Sequence, residues 1–283
     1  MKNVWKLSNY LFLWQWKKWN KGVMLAVFLL GLANLAALAI PMGNPISYEY
    51  YPKAFQTYDM ALDGSMIPVC FVIGLGMLLI GVSAQLRGFS QHGKGIYTLF
   101  LLPMKRKEVY LAFLFSALAS ILLYYMLWLI LLVAAYFPIT AIYENKAVEE
   151  VFILAKDNMI TGIEVQQTNG LFLAFRHSTF LATCFPSTFG TLLSAIGGVG
   201  LMLTGLLFAG FYTEEIGVRV LGSAGAILLG GYIYLYEAAA RLIAQFGTEA
   251  SLGGSFIKGV LAVALMLLLQ KYTIKRLDRR TDY

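Results

Sequence analysis

The run Gly88-Phe-Ser-Gln-His92-Gly93-Lys94-Gly95 comes within one residue of a phosphate-cradling loop, G-x-x-x-x-G-K-[ST]. In such a loop backbone N–H groups and the lysine hold the phosphates, and the hydroxyl residue holds magnesium. Gly95 stands where the hydroxyl is needed. The run also follows a long apolar segment, whereas the chemistry needs a buried strand in front of it. The glycines therefore read as a flexible turn, and no nucleotide site is expected. His92 and His177 fall on opposite sides of the expected membrane and cannot share a metal ion. Cys70 and Cys184 lie in or beside apolar runs and read as small buried hydrophobes rather than a disulfide or a metal pair.

Glu214-Glu215-Ile-Gly-Val-Arg219 matches the E-E-x-x-x-R motif of the CAAX-type intramembrane proteases. Those enzymes also need histidines downstream, and both histidines here lie upstream. Without them there is no metal and no general base, so the glutamates read as a helix end and a charged turn. Glu237 lies close to the outer end of a span and reads as an interfacial residue rather than a proton carrier. No Ser or Cys nucleophile has a base at a readable spacing. The expectation is a protein that is not an enzyme, with no catalytic residue and no metal ligand.

The elements that carry these residues follow from composition. Hydrophobic residues make up 59% of the 283 and charged residues 13%, against roughly a quarter charged in a soluble domain. That balance predicts an integral membrane protein, all-α, a polytopic helix bundle forming one transmembrane domain over residues 1–283. With about 20 residues per span, six transmembrane helices fit: Val23–Ile40, Met66–Leu86, Val109–Phe137, Pro186–Phe211, Val220–Tyr236 and Phe256–Gln270. Asn34 interrupts the first, and Pro68 is tolerated in the first turn of the second. Lys258 is free to snorkel outward from the sixth.

Residues 1–21 interleave Lys2, Lys6, Lys17, Lys18 and Lys21 with Trp5, Tyr10, Trp14, Trp16 and Trp19, too charged and aromatic for the apolar core of a signal peptide. Leu7, Tyr10, Leu11 and Trp14 share a helical face, which predicts an interfacial helix lying in the membrane plane. Residues 138–183 form the longest polar region, an extracellular loop in which Ala147–Ala155 reads as a short amphipathic helix. Glu237–Ser255 reads as a semi-polar piece lying on the membrane or dipping into it.

Charge sets the orientation. With the N-terminus, the segment after the second span, the Glu214 turn and the tail inside, the inner side holds 16 of the 22 Lys and Arg and 5 of the 15 Asp and Glu. Basic residues near span ends mark the cytoplasmic side, so both termini are expected there. The net charge of +7 is then a matter of topology, and no nucleic-acid partner is implied. The partners expected from the spans are membrane lipid and other helices. Gly190, Ser194 and Gly198 on the fourth span recur every four residues, as do Gly222, Ala226 and Gly230 on the fifth. Small residues at that spacing let backbones approach closely in lipid, here within one subunit rather than across a dimer seam.

Between the second and third spans lies Arg87–Tyr110, RGFSQHGKGIYTLFLLPMKRKEVY. Gly88, Gly93 and Gly95 break helix at its start. Ile96–Leu102 can lie along the bilayer surface, and Pro103 stops it. Lys105, Arg106 and Lys107 hold the elbow in the cytoplasm, each costing about 3 kcal/mol in hydrocarbon.

The stretch from Tyr97 through Phe100, Leu101, Leu102, Pro103, Lys105, Arg106 and Glu108 to Tyr110 resembles the L-L-P-x-x-R-x-E-[VI] stretch of type-2 ABC transporter permeases. The resemblance implies six spans with cytoplasmic termini and a coupling elbow over residues 87–108. It implies that Gly88–Leu102, with Gly88, His92, Lys94, Tyr97, Phe100 and Leu101 among them, transmit motion, that Pro103 belongs to the same coupling elbow, and that Lys105, Arg106 and Glu108 fix the elbow at the interface. Two copies of a separate ABC ATPase would supply power, ATP and Mg belonging to that partner and no cofactor to this chain. A second permease subunit, identical or homologous, would complete the path. With no fixed charge to grip an ion, the cargo expected is an amphipathic peptide, antibiotic or lipid, exported across a bacterial plasma (inner) membrane. The alternative is an ATP-independent membrane module such as an immunity protein, a sensor or a scramblase. The lysine that often follows the motif shortly is absent, since Tyr110-Leu-Ala-Phe113 continues without one, and the 138–183 loop is longer than the pattern.

Overall fold

A single helical rod opens the chain. In a computed structural model, the residues described are 2–39, 58–91, 104–143, 148–154, 160–167, 170–186, 188–211, 216–244 and 253–279. Helix α1 (Lys2–Gln15) passes through a π-helical turn, Trp16–Asn20, into α2 (Lys21–Ala39). Gln15 and Lys21 both keep right-handed helical dihedrals, so the N-terminal helix, expected as a separate piece in the membrane plane, runs on into the first span without a break. The buried face of α1 is Val4, Leu7, Ser8, Leu11 and Gln15, while Tyr10 is 58% exposed. The face expected from sequence is thus rotated toward Val4: Leu7 and Leu11 are on the buried face, and Tyr10 is not.

After α3 (Tyr58–Asp63), α4 (Ile67–Gln91) crosses back, and α5 (Arg106–Tyr143) is the longest helix. Its 38 residues span about 57 Å, nearly twice the hydrocarbon thickness. Two expectations are corrected here. Gly88 does not break α4, which runs on to Gln91; one glycine costs about 1 kcal/mol, too little to stop an established helix. Pro138 does not begin the outer loop, because α5 continues through it to Tyr143. Thr140 Oγ1, just after the proline, donates to the Tyr136 carbonyl one turn back at 2.7 Å; helices that cross membranes tolerate proline where the surrounding protein accommodates the lost bond.

The stretch read as an amphipathic helix is instead a β-hairpin. Strands β1 (Val148–Leu154) and β2 (Ile160–Gln167) pair antiparallel, Val151 opposite Glu164, with an irregularity at Ile153/Leu154. Val148, Val151, Ile153, Ile160, Ile163 and Val165 are β-branched and favour the strand. Two short helices follow, α6 (Leu171–His177) and α7 (Thr179–Cys184), then the long helices α8 (Phe189–Phe211), α9 (Ile216–Ala244) and α10 (Gly253–Arg279). Among the described residues six helices are long and apolar enough to cross a membrane: Asn3–Leu38, Ile67–Leu86, Arg106–Ala141, Phe189–Phe211, Ile216–Tyr236 and Ser255–Leu277. This is an all-α polytopic bundle, and the chain is a multi-pass membrane protein. The fifth and sixth spans belong to longer helices than expected, and much of the semi-polar piece after Tyr236 is a continuation of α9.

Two layers meet in the bundle. The α1–α2 rod runs parallel to α5: Asn20 Nδ2 donates to Ser120 Oγ at 2.8 Å, and eleven residues on, Gly31 abuts Trp128 and Leu131. Helix α4 runs antiparallel between them, with Trp19 Nε1 donating to the Met77 carbonyl at 3.0 Å and Asn34 Nδ2 to Cys70 Sγ at 3.6 Å. In the other layer α8 is central, with α9 on one side and α10 on the other. An aromatic core joins the layers toward the end away from the chain termini, where Phe71 meets Tyr124, Tyr125, Trp128 and Phe180 with ring centroids 5.2–5.7 Å apart. The contacts with Tyr125, Trp128 and Phe180 are edge-to-face, an arrangement favourable beyond simple burial.

Candidate functional site

The elbow of the sequence reading returns to the bundle at Lys105. Its backbone N–H donates to Glu108 Oε2 at 3.2 Å, and its carbonyl accepts from the Glu108 and Val109 N–H groups at 2.8 and 3.3 Å. Glu108 thus reaches back over the first turn of α5, half of a capping box, and sets its charge at the positive end of the helix dipole. Lys105 and Lys107 are exposed, whereas Arg106 is half-buried. Arg106 Nη1 donates to the Leu277 carbonyl at 3.0 Å. Leu277 lies in the last turn of α10, where carbonyls lack intrahelical partners and the dipole is negative. One side chain therefore ties the start of α5 to the end of α10.

The neighbouring packing is tight. Tyr110 and Phe113 meet the ring of Phe211, at the end of α8, edge-on at 5.6 and 5.5 Å. Leu86, near the end of α4, lies against Gly210, and Gln85 Nε2 donates to the Leu11 carbonyl at 3.1 Å. The N-terminal helix, the end of α4, the start of α5 and the ends of α8 and α10 all gather at this one end. Both ends of the elbow emerge there.

Of the residues singled out for the elbow, Gly88 sits in the last turns of α4, and Lys105, Arg106 and Glu108 form the cap just described. His92, Lys94, Tyr97, Phe100, Leu101 and Pro103 lie outside the described residues, as do Gly93, Gly95, Glu214 and Glu215. Among the described residues no three His, Cys, Asp or Glu side chains converge, and Cys70 and Cys184 are free thiols.

The small residues pack between helices of this subunit. A Cβ on Gly198 would lie 2.8 Å from the Gly230 carbonyl oxygen, and one on Gly230 would lie 2.6 Å from that of Gly198. Gly222 faces Phe208, and Ala226 faces Gly205. Gly190 and Ser194 instead turn toward α10: Gly190 abuts Phe256, and Ser194 Oγ donates to the Ser255 carbonyl at 2.8 Å. Sequence reasoning missed that second seam, where Gly259 lies on Ser194 and Leu193, and Gly197 on Ala262. Ser255 and Gly259, four residues apart, with Ala262 one turn on, are the small-residue signal that marks it.

Also missed was the anchoring of α7, whose six residues are all buried. Asp63 accepts from Ser178 Oγ at 2.6 Å and from the Thr179 and Phe180 N–H groups at 2.7 and 3.1 Å. Its carboxylate thereby satisfies N–H groups that a helix start leaves open. Nearby, burial pushes the Tyr58 phenol well above its ordinary value, so its hydroxyl remains a donor to the Leu132 carbonyl at 2.6 Å.

The chain matches no protein-family model, no curated protein and no solved structure.

Proposed function

We propose that this chain is the membrane-spanning subunit of an ATP-driven exporter of the type-2 ABC class, seated in a bacterial plasma membrane with both termini in the cytoplasm. Two copies of a separate ATPase dock on the elbow of residues 87–108 and carry ATP and Mg. A second permease subunit, identical or homologous, completes the path, and the cargo is an amphipathic peptide, antibiotic or lipid. The observation that carries the reading is the junction at Arg106. The L-L-P-x-x-R-x-E pattern leads directly into a helix start capped by Glu108 and bonded to the last turn of α10. A push delivered to the elbow then acts on both layers of the bundle at once. The gathering of the basic helix ends at this same end supports the reading.

The test uses inverted membrane vesicles holding the chain and the ATPase that copurifies with it. Phe100→Asp or Leu101→Asp places a charge on the apolar side of the docking segment. Loss of one buried large apolar side chain is worth about 1.5–3 kcal/mol, so ATPase recovery on pull-down is expected to fall roughly tenfold or more, with ATP-driven uptake of an amphipathic dye lost and the bundle still folded. Uptake that persists in both variants with no ATPase bound would overturn the proposal in favour of an ATP-independent module.

A further inference from the structure

Helices α9 and α10 each pack along α8 and barely touch one another. The gap between them is a cleft of about 410 Å³, lined almost wholly by apolar atoms, among them Leu201 of α8, Leu221, Gly222 and Gly225 of α9, and Leu265 and Tyr272 of α10. Both walls belong to membrane-spanning segments. An apolar recess does not hold water, and leaving it unfilled forfeits dispersion contacts along its whole lining. The occupant is therefore apolar over the length of the cleft. From Leu221 to Leu229 that length is about 12 Å at helical rise.

The inner end of the cleft is cationic. The Arg276 guanidinium lies 5.6 Å from the centroid of the Tyr272 ring, one turn beyond the lining. Arg219 is half-buried two residues before Leu221, and Lys271 and Lys275 are exposed beside them. By sequence the basic residues at this end, Arg219, Lys271, Lys275, Arg276 and Arg279, outnumber the acidic ones, Glu214, Glu215 and Asp278. An acyl chain, slender and apolar throughout, matches a recess of this size and lining. We propose that the cleft binds an anionic phospholipid, its acyl chain between α9 and α10 and its phosphate at Arg219 and Arg276. The lipid would fill the gap between α9 and α10, and the inference stands whether or not the chain is an exporter.

Native mass spectrometry of the full chain in mild detergent tests this with phosphatidylglycerol and phosphatidylcholine of identical acyl chains. The expected result is preferential retention of phosphatidylglycerol. Arg219→Ala and Arg276→Ala should each weaken that preference roughly fivefold, equivalent to about 1 kcal/mol per basic side chain at an anionic lipid surface. A Cβ at Gly225 meets nothing within 4 Å, so the side chain of Gly225→Leu has the cleft to enter and should remove both lipid adducts while the protein stays folded. Four results would overturn the proposal: equal retention of the two lipids by the unaltered chain, unchanged lipid binding in Gly225→Leu, full displacement by glycerol phosphate alone, or a dimer that Gly225→Leu dissociates.

Discussion

Arg106 and Asp63 use charge in the same way at opposite ends of the bundle. The guanidinium meets a carbonyl at the end of α10, and the carboxylate meets N–H groups at the start of α7. Each bond is between residues far apart in sequence, separated by 171 positions for Arg106–Leu277 and 116 for Asp63–Thr179. A hydrogen bond to a charged group contributes about 1.5–3 kcal/mol. Arg106→Ala is therefore expected to lower stability by about that much, with Arg106→Lys recovering part, whereas Lys105→Ala at its exposed position should change it by less than about 0.5 kcal/mol. Thermal unfolding of the purified protein in detergent, followed by circular dichroism, measures all three; equal losses in Arg106→Ala and Lys105→Ala would remove the clamp from the account. The cap itself was half-legible, since Lys105-Arg106-Lys107-Glu108 after a proline is a readable helix start. The residue that Arg106 holds was not, because nothing local connects it to Leu277. Nothing local marks Asp63 as the cap of α7 either, because its partners lie more than a hundred residues on.

Among elements, α8 is the spine, and its contact surfaces are made of missing side chains. The four-residue spacing of small residues picks out Gly198 and Gly230 from sequence, but it does not say which neighbour each residue meets. Gly190 and Ser194 belong to the same stripe and face α10, while Gly198 faces α9. The division depends on how the helices cross, which the spacing does not encode. Gly198→Ala would drive a methyl group into the Gly230 carbonyl, backbone that has no rotamer to escape through, and is expected to cost about 1–3 kcal/mol. Gly225→Ala, on the same helix as Gly230 but with open space around it, should be neutral or stabilise by up to about 1 kcal/mol through helix propensity. Comparing the two unfolding midpoints separates close packing from a general effect of glycine replacement; similar losses would refute the close seam. Elsewhere the element reading failed where two periodicities compete. Val148–Leu154 contains enough polar residues to resemble a short amphipathic helix, yet its β-branched residues and a matching partner at Ile160–Gln167 make a hairpin. Pro138 and Gly88 read as breaks only when judged without the long helices around them.

On the scale of the molecule, six apolar runs and the distribution of lysine and arginine were enough to give a six-helix membrane bundle. The parallel alignment of the α1–α2 rod with α5 was not legible, because Asn20 and Ser120 carry no mark in the sequence of their pairing. The structure brings the basic N-terminal helix, Lys105–Lys107 and the end of α10 to one end, the end at which the elbow leaves and re-enters. Everything proposed about power and cargo requires that end to face the cytoplasm. The most direct measurement is the sidedness of a single cysteine at position 105, Lys105→Cys in a Cys70→Ala, Cys184→Ala background, labelled with a membrane-impermeant maleimide. Labelling in inverted vesicles but not in right-side-out vesicles is the expected result. Labelling only in right-side-out vesicles would put the elbow on the outer face, beyond reach of any ATPase, and would contradict the account.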